Sequence, residues 1–314
     1  MCWLFAGRVW YAGTPEGKES SFIYFSQVTT DYTKYGKCHQ QNDPTSEVLS
    51  DIQDDDGGVI VIPDIGQVVA LRGASDGMLV FATNGVWRVE GTDSGFSATS
   101  YIINRVTSVG CLYSGSIVEV EDTFVYFSRN GIYSIAKDGS EFNNVSDVNI
   151  KSFYNNISIE SKLKAVSAYD FNRKKLYWLY PENDEVFKRK VLCYDIALRS
   201  WYTFTFAASN TYKLIGLFMP TVAAQLEQTF DVVVNNDDIL VNTNQVQVDL
   251  DVTEGAESFL KYCVLVQSGN TYTLSFADTN NANFTDWNET EMPAYVITGY
   301  EMGNNGPARS KTSG

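Results

Sequence analysis

The sequence predicts an all-β chain assembled from repeated antiparallel units, and three observations carry that prediction. The first is the stretch from Ala165 to Phe206, with strand-like runs at Lys175–Tyr180 and Val191–Ile196 and a Trp-led run at Trp201–Phe206. These runs are rich in Tyr, Trp, Leu, Val and Phe, which suit a half-buried pleated surface. Tyr194 and Trp201 are expected to pack on one unit, with Asp195 opening the turn between them. The second observation is a repeated hairpin. Met78–Gly91 and Phe124–Gly139 share the pattern aliphatic or aromatic, Phe, small, any, Asn-Gly, aliphatic, aromatic, any, aliphatic. Asn-Gly between alternating apolar residues is a strong hairpin signal. Gly85 and Gly131 are 46 residues apart, and Tyr177 lies 50 beyond Phe127. The third observation is that helical periodicity is nearly absent. Lys151–Lys164 reads as containing a short helix. A spacing of about 45–50 residues with four strands per unit is the range of β-propeller blades.

Taken in order, Gly7–Gly13 and Phe22–Ser26 read as strands joined by a turn at Thr14–Gly17. Asp31–Gly58 is a long polar segment, with one short helical turn expected where Asp43 caps and Pro44 opens it. Loops of that length are often functional. Val59–Pro63 is a continuous apolar run and reads as a strand buried on both faces. Val68–Leu71 and the two hairpins follow. Lys213–Phe218 supplies another strand, Phe259–Trp287 a hairpin turning at Ser268–Asn270, and Tyr295–Met302 a last strand. The expected organisation is propeller-like blades over 1–218 with the long loop 31–58, an acidic Asn-rich and β-rich insertion at 219–258, a further blade at 259–302, and a tail at 303–314. About five partial blades are expected. Nothing in this reading seals the last edge, so the chain is expected to be a piece of a longer one.

Composition narrows the function. Hydrophobic residues make up 44% of the 314, with 19 Tyr, 18 Phe and 6 Trp, which excludes a mainly disordered chain. No apolar run reaches membrane-spanning length, and the opening MCWLFAGRVWYAG lacks the basic region of a signal peptide. The net charge of −15 argues against tight wrapping of nucleic acid. From Pro220 onward there are 13 Asp or Glu against 3 Lys or Arg. That bias reads either as a solubilising face or as a surface that repels a polyanion. The five cysteines, Cys2, Cys38, Cys111, Cys193 and Cys263, form no CxxC pair. Cys111, Cys193 and Cys263 sit in apolar runs and read as buried free thiols of a reducing compartment.

Candidate chemistry is sparse. Cys38 and His39 adjoin in a polar loop, but sequence neighbours face each other poorly as nucleophile and base. They read as an exposed loop pair. Asp51, Asp54, Asp55 and Asp56 before Gly57-Gly58 suggest calcium. Placing Gly57 at the sixth loop position puts Ile52 first and Pro63 twelfth, so the EF-hand pattern fails. An acidic turn is the expectation. Ser114-Gly115-Ser116 lacks the flanks of a nucleophile elbow, and no phosphate loop is present. Trp10, Trp87, Trp178, Trp201 and Trp287 lie in or at the ends of strands and read as packing residues.

Ordered short blocks then point to a family. They are Tyr24-Phe25-Ser26, the Asn42–Glu47 stretch, the Asp54–Gly57 turn, the Val59–Ile62 strand, and the Val80-Phe81 and Asn84–Trp87 hairpin. Asn130–Tyr133, Lys175–Tyr180, Tyr194-Asp195, Asn283–Trp287 and Thr298–Glu301 continue the series. Together they resemble the tail nozzle proteins of short-tailed bacteriophages, also called tail tubular protein B. The resemblance runs from about Gly7 to Glu301, and family members are considerably longer. It implies a structural virion protein rather than an enzyme, with no cofactor or metal. It implies a homohexameric ring at the distal end of the tail, below the adaptor protein, with docking surfaces for tail fibres. The ring would be assembled in the host cytoplasm. Its channel would retain DNA and then pass it without sequence-specific binding. An acidic lumen suits such a conduit, because phosphates are repelled and slide. Charge density alone nominates Asp237, Asp238, Asp249, Asp251, Glu254 and Glu257 as lining.

Two competing expectations remain. One is a free-standing β-propeller that binds carbohydrate or a receptor. The other is a polysaccharide-degrading propeller, which needs a placed carboxylate pair. Fold alone does not choose among them.

Overall fold

The computed structural model describes residues 1–13, 21–39, 52–74, 76–92, 95–147, 150–171, 173–183, 185, 187–206, 212–218 and 263–276. The chain is all-β, built of propeller-like antiparallel blades. Blade 1 comprises β1 (Cys2–Phe5), β2 (Arg8–Tyr11), β3 (Phe22–Phe25) and β4 (Gly58–Val61), paired in that order. Blade 2 comprises β5 (Val68–Gly73), β6 (Gly77–Ala82), β7 (Gly85–Gly91) and β8 (Tyr101–Thr107). Blade 3 comprises β9 (Val118–Val120), β10 (Thr123–Ser128), β11 (Gly131–Ala136) and β12 (Phe142–Asn144). Two short helices follow, α1 (Lys151–Asn156) and α2 (Ile159–Lys162), inside the stretch where a helix was expected. Blade 4 comprises β13 (Val166–Asp170), β14 (Lys175–Pro181), β15 (Lys188–Asp195) and β16 (Ser200–Thr205). β17 (Tyr212–Phe218), β18 (Cys263–Ser268) and β19 (Thr271–Phe276) begin a fifth set, joined to blade 4 by one pairing of Lys188 with Leu214. β17 pairs with β18, so residues 219–262 interrupt a hairpin. The first strands lie together along one edge of the array: β1 beside β5, β9 beside β13, and β13 beside β17.

The period-two alternation of a strand explains how the blades stack. On β6, Met78, Val80 and Ala82 enter the seam with blade 1, against Trp10, Ile23 and Phe25. Leu79 and Phe81 enter the seam with blade 2's other neighbour, against Phe124 and Tyr126. β10 repeats the arrangement: Val125 and Phe127 face the next seam, with Leu176 and Trp178 of β14. Tyr177 and Leu179 then face Leu214 and Leu217 of β17. Both faces of β6, β10 and β14 are therefore buried, which is why the sequence shows apolar runs there rather than strict alternation.

Two expectations need correction. Val59–Pro63 was expected to be buried on both faces. β4 is instead the edge strand of blade 1, and Val59 and Val61 remain 43% and 46% exposed. The Asn-Gly pairs do mark hairpins, but glycine is not at the turn centre. Ala82 pairs with Gly85 and Ser128 with Gly131, so the two loop residues are Thr83-Asn84 and Arg129-Asn130. Glycine is needed for a different reason: a Cβ on Gly85 would sit 2.6 Å from the Thr107 carbonyl oxygen. In blade 4, Tyr194 and Trp201 do pack together, with ring centroids 4.4 Å apart. Asp195 opens its turn by accepting from the Leu198 amide at 2.9 Å. Asp170 does the same for the Arg173 amide at 3.0 Å, so blade 4 uses one turn design twice. The last loop residues, Lys174 and Arg199, take the left-handed φ values of +53° and +50°.

Candidate functional site

The most site-like feature is a cleft of about 690 Å³ where the first strands begin. Met1 precedes β1, Val68 opens β5, Ser114 precedes β9 and Leu163 precedes β13, and all four line it. Its walls are the connections that carry the chain from one blade to the next, together with the hairpin tips at Thr83 and at Arg129-Asn130. These walls are tied down. The Cys111 amide donates to the Ala82 carbonyl at 2.9 Å, and the Leu112 amide donates to the Phe127 carbonyl at 3.0 Å. The buried Tyr126 hydroxyl donates to the Val109 carbonyl at 2.9 Å, and burial pushes its pKa far up. At Gly110 a Cβ would lie 2.0 Å from the Thr83 carbonyl oxygen, so the connection presses directly on the hairpin tip. The lining carries hydroxyls, amides and two phenols, from Gln67, Thr83, Ser108, Asn130, Tyr113 and Tyr133. Arg129 is the only charged side chain among the lining residues, and it has no carboxylate partner among the described residues.

Sequence reasoning did not find this cleft. One signal was available: Thr83 and Arg129 occupy the same variable position of the repeated hairpin, 46 residues apart. A second, smaller cleft of about 230 Å³ lies beside the helices, lined by Phe153, Ile157, Tyr180 and Lys190.

The residues singled out from the sequence fall in several places. The acidic turn at Asp54–Asp56 is real and has a buried centre, the side chain of Arg8. Its guanidinium donates to the carbonyl oxygens of Ser26 at 2.9 Å and Asp55 at 3.2 Å, and also to those of Asp54 and Asp56. The ring faces of Phe25 and Phe96 flank it at 5.4 and 5.7 Å. Burial lowers the Arg8 pKa, while the carboxylates of Asp55, Asp56 and Asp54 oppose that shift. Backbone carbonyls, not carboxylates, thus gather at this turn. Asp56 is buried and accepts from the Gln53 amide at 2.9 Å. Among the described residues, no three His, Cys, Asp or Glu side chains gather to hold a metal ion.

Cys38 and His39 are half-buried rather than exposed. The His39 carbonyl accepts from the Gln27 side-chain amide at 3.0 Å, which fixes the loop against blade 1. Burial pushes the Cys38 thiol up to about 11, so it is protonated at neutral pH and a poor nucleophile. Cys111 and Cys193 are buried free thiols, each pushed up to about 12. Trp10, Trp87 and Trp178 are buried packing residues. Asp43 and Pro44, Trp287, and the nominated channel residues Asp237, Asp238, Asp249, Asp251, Glu254 and Glu257 lie outside the described residues. So does the β-rich insertion. Among the described residues no helix is long and apolar enough to cross a membrane.

The fold and the cleft together define a propeller-like blade array with a ligand-sized opening at one end. No family model matches the chain, and no curated protein matches it. It is similar to solved structures at low identity. One is a chain of the nidogen/laminin complex, at 9% identity and a TM-score of 0.34, covering 64% of this chain and 65% of that one. Another is PorZ, a surface component of the type-IX secretion system of Porphyromonas gingivalis. The identity is 8% and the TM-score 0.37, with 97% of this chain covered and 27% of that one. A third is the N-terminal domain of Nup159, at 9% identity and a TM-score of 0.31, covering 87% and 71%. The chain therefore spans about two thirds of the first of these and about a quarter of the second.

Proposed function

We propose that this chain is a structural subunit of a bacteriophage tail nozzle, contributing propeller-like blades to the wall of a DNA conduit. The observation that carries the reading is where the nozzle-like blocks fall. The blocks within the described residues form strands and turns of the blades, while Asn42–Glu47, Asn283–Trp287 and Thr298–Glu301 lie outside the described residues. Phe25 and Ser26 meet the Asp54–Gly57 turn through Arg8. Val80-Phe81 and Asn84–Trp87 build the second hairpin of blade 2, and Asn130–Tyr133 builds its counterpart in blade 3. Lys175–Tyr180 is β14, and Tyr194 closes on Trp201. The net charge of −15 adds the repulsion that a passing duplex needs. A ring of identical copies uses head-to-tail contacts that close by rotation. Adaptor and fibres then bind its two ends, and no bond-making chemistry is required of the subunit.

Native mass spectrometry and electron microscopy of the purified chain test the proposal. A closed ring, with six copies as the expected number, supports it. A monomer at every concentration, or retention of duplex DNA on filters at moderate salt, overturns it.

A further inference from the structure

We infer that the cleft at the start of the first strands is a binding site for an acidic saccharide, with Arg129 holding the sugar carboxylate. The inference stands apart from the nozzle reading, because it rests on the cleft alone. Its volume of about 690 Å³ lies within the roughly 300–1,000 Å³ of ligand clefts. The site is built before any ligand arrives, since both hairpin tips and the connection at 108–112 are stitched together by main-chain hydrogen bonds. Preformed walls reduce the ordering cost of binding.

The lining chemistry selects the ligand class. Gln67, Thr83, Ser108 and Asn130 offer donors and acceptors together, which matches sugar hydroxyls that do both. Tyr113, 38% exposed, and Tyr133 add aromatic surface for the apolar face of a sugar ring. One guanidinium suits one carboxylate, which it takes as a bidentate pair, while the other cation at the lining, the Met1 ammonium, donates to the Ala12 carbonyl at 3.0 Å. Asp and Glu do not occur among the lining residues, in a chain whose net charge is −15. The cleft is therefore free of the carboxylates that dominate the chain's charge. A nucleic acid is a poor fit, because tracking a phosphate backbone needs several cations and the cleft offers one side chain.

Isothermal titration with a galacturonate oligosaccharide, a neutral galactose oligosaccharide and inorganic phosphate tests the inference. The expected result is binding of the acidic oligosaccharide and at least about tenfold weaker binding of the neutral one. Arg129→Gln is expected to remove that preference while leaving the melting temperature unchanged, because Arg129 is exposed at a hairpin tip. Tyr113→Ala is expected to weaken both sugars alike. Three outcomes overturn the inference: no heat from either saccharide, a preference that survives Arg129→Gln, or phosphate alone competing as well as the acidic sugar. The last outcome would mark a simple anion site.

Discussion

The indole Nε1 of Trp178 donates a 2.9 Å hydrogen bond to the carbonyl oxygen of Ser116, crossing from the fourth blade to the connection that enters the third. The same indole is fully buried and stacks between Phe127 and Trp201, at centroid distances of 5.2 and 6.0 Å. One side chain thus supplies apolar area, ring stacking and a partner for a buried carbonyl. Trp178→Phe keeps most of the area and loses the bond, for an expected cost of about 1–3 kcal/mol. Trp178→Ala also opens a cavity, and its expected cost is about 3–5 kcal/mol. Urea unfolding of the two variants checks the ratio.

Arg8 closes blade 1 onto the acidic turn. Arg8→Met leaves the carbonyls of Ser26 and of Asp54–Asp56 without their common donor. The expected loss is about 1–3 kcal/mol, the cost of leaving buried acceptors without a donor. Arg8→Lys is expected to recover only part of it, because an ammonium cannot span the arc of acceptors that the planar fork spans. Thermal unfolding of wild type and both variants measures this.

The buried thiols make a pH prediction. Cys111 and Cys193 ionise near 12 in the fold, above the ordinary thiol value, because burial disfavours the thiolate. The unfolded chain therefore loses these protons first as pH rises. The stability they contribute is intact below about 8.5 and falls progressively as pH climbs towards 12. Cys111→Ala is expected to flatten part of that alkaline fall. In the native protein at pH 8, a thiol reagent is expected to modify Cys2 quickly and Cys111 and Cys193 only on unfolding.

Lys162 shifts the other way. It is 3% exposed, its Nζ lies 4.1 Å from the Tyr154 ring centroid, and burial pushes its pKa down. Its folded pKa is below its unfolded value, so protonation costs stability at neutral pH. That cost fades as pH rises through the folded pKa. Lys162→Met is expected to stabilise the fold by about 1 kcal/mol at pH 7. Its advantage over wild type should shrink at high pH, which paired unfolding curves at pH 7 and 10 would reveal.

The strands and their repeat were legible because their signals are local. Asn84-Gly85 and Asn130-Gly131 announce hairpins within six residues, and Tyr194, Asp195 and Trp201 announce a turn. The hairpins of β6 and β10 were legible, but their burial on both faces was not. Burial on both faces was expected only of Val59–Pro63, and there it misread β4, because an apolar run does not tell whether a neighbouring strand covers it. Val59 and Val61 have none beyond them in their sheet. Arg8 was invisible as a centre because its acceptors lie 18 to 48 residues away and are backbone atoms, which carry no residue signature. The cleft was hidden for a related reason. It forms from the ends of four first strands, and only the matching positions of Thr83 and Arg129 hinted that separate repeats contribute to one place.

The two-faced second strands have an evolutionary consequence. β6, β10 and β14 each bury apolar side chains on both faces, one set in each flanking seam. A duplication of about 46 residues, from one Asn-Gly hairpin to the next, would insert a whole blade with both its faces already matched. Blade number in this architecture is then a matter of how many copies of one such module the gene carries.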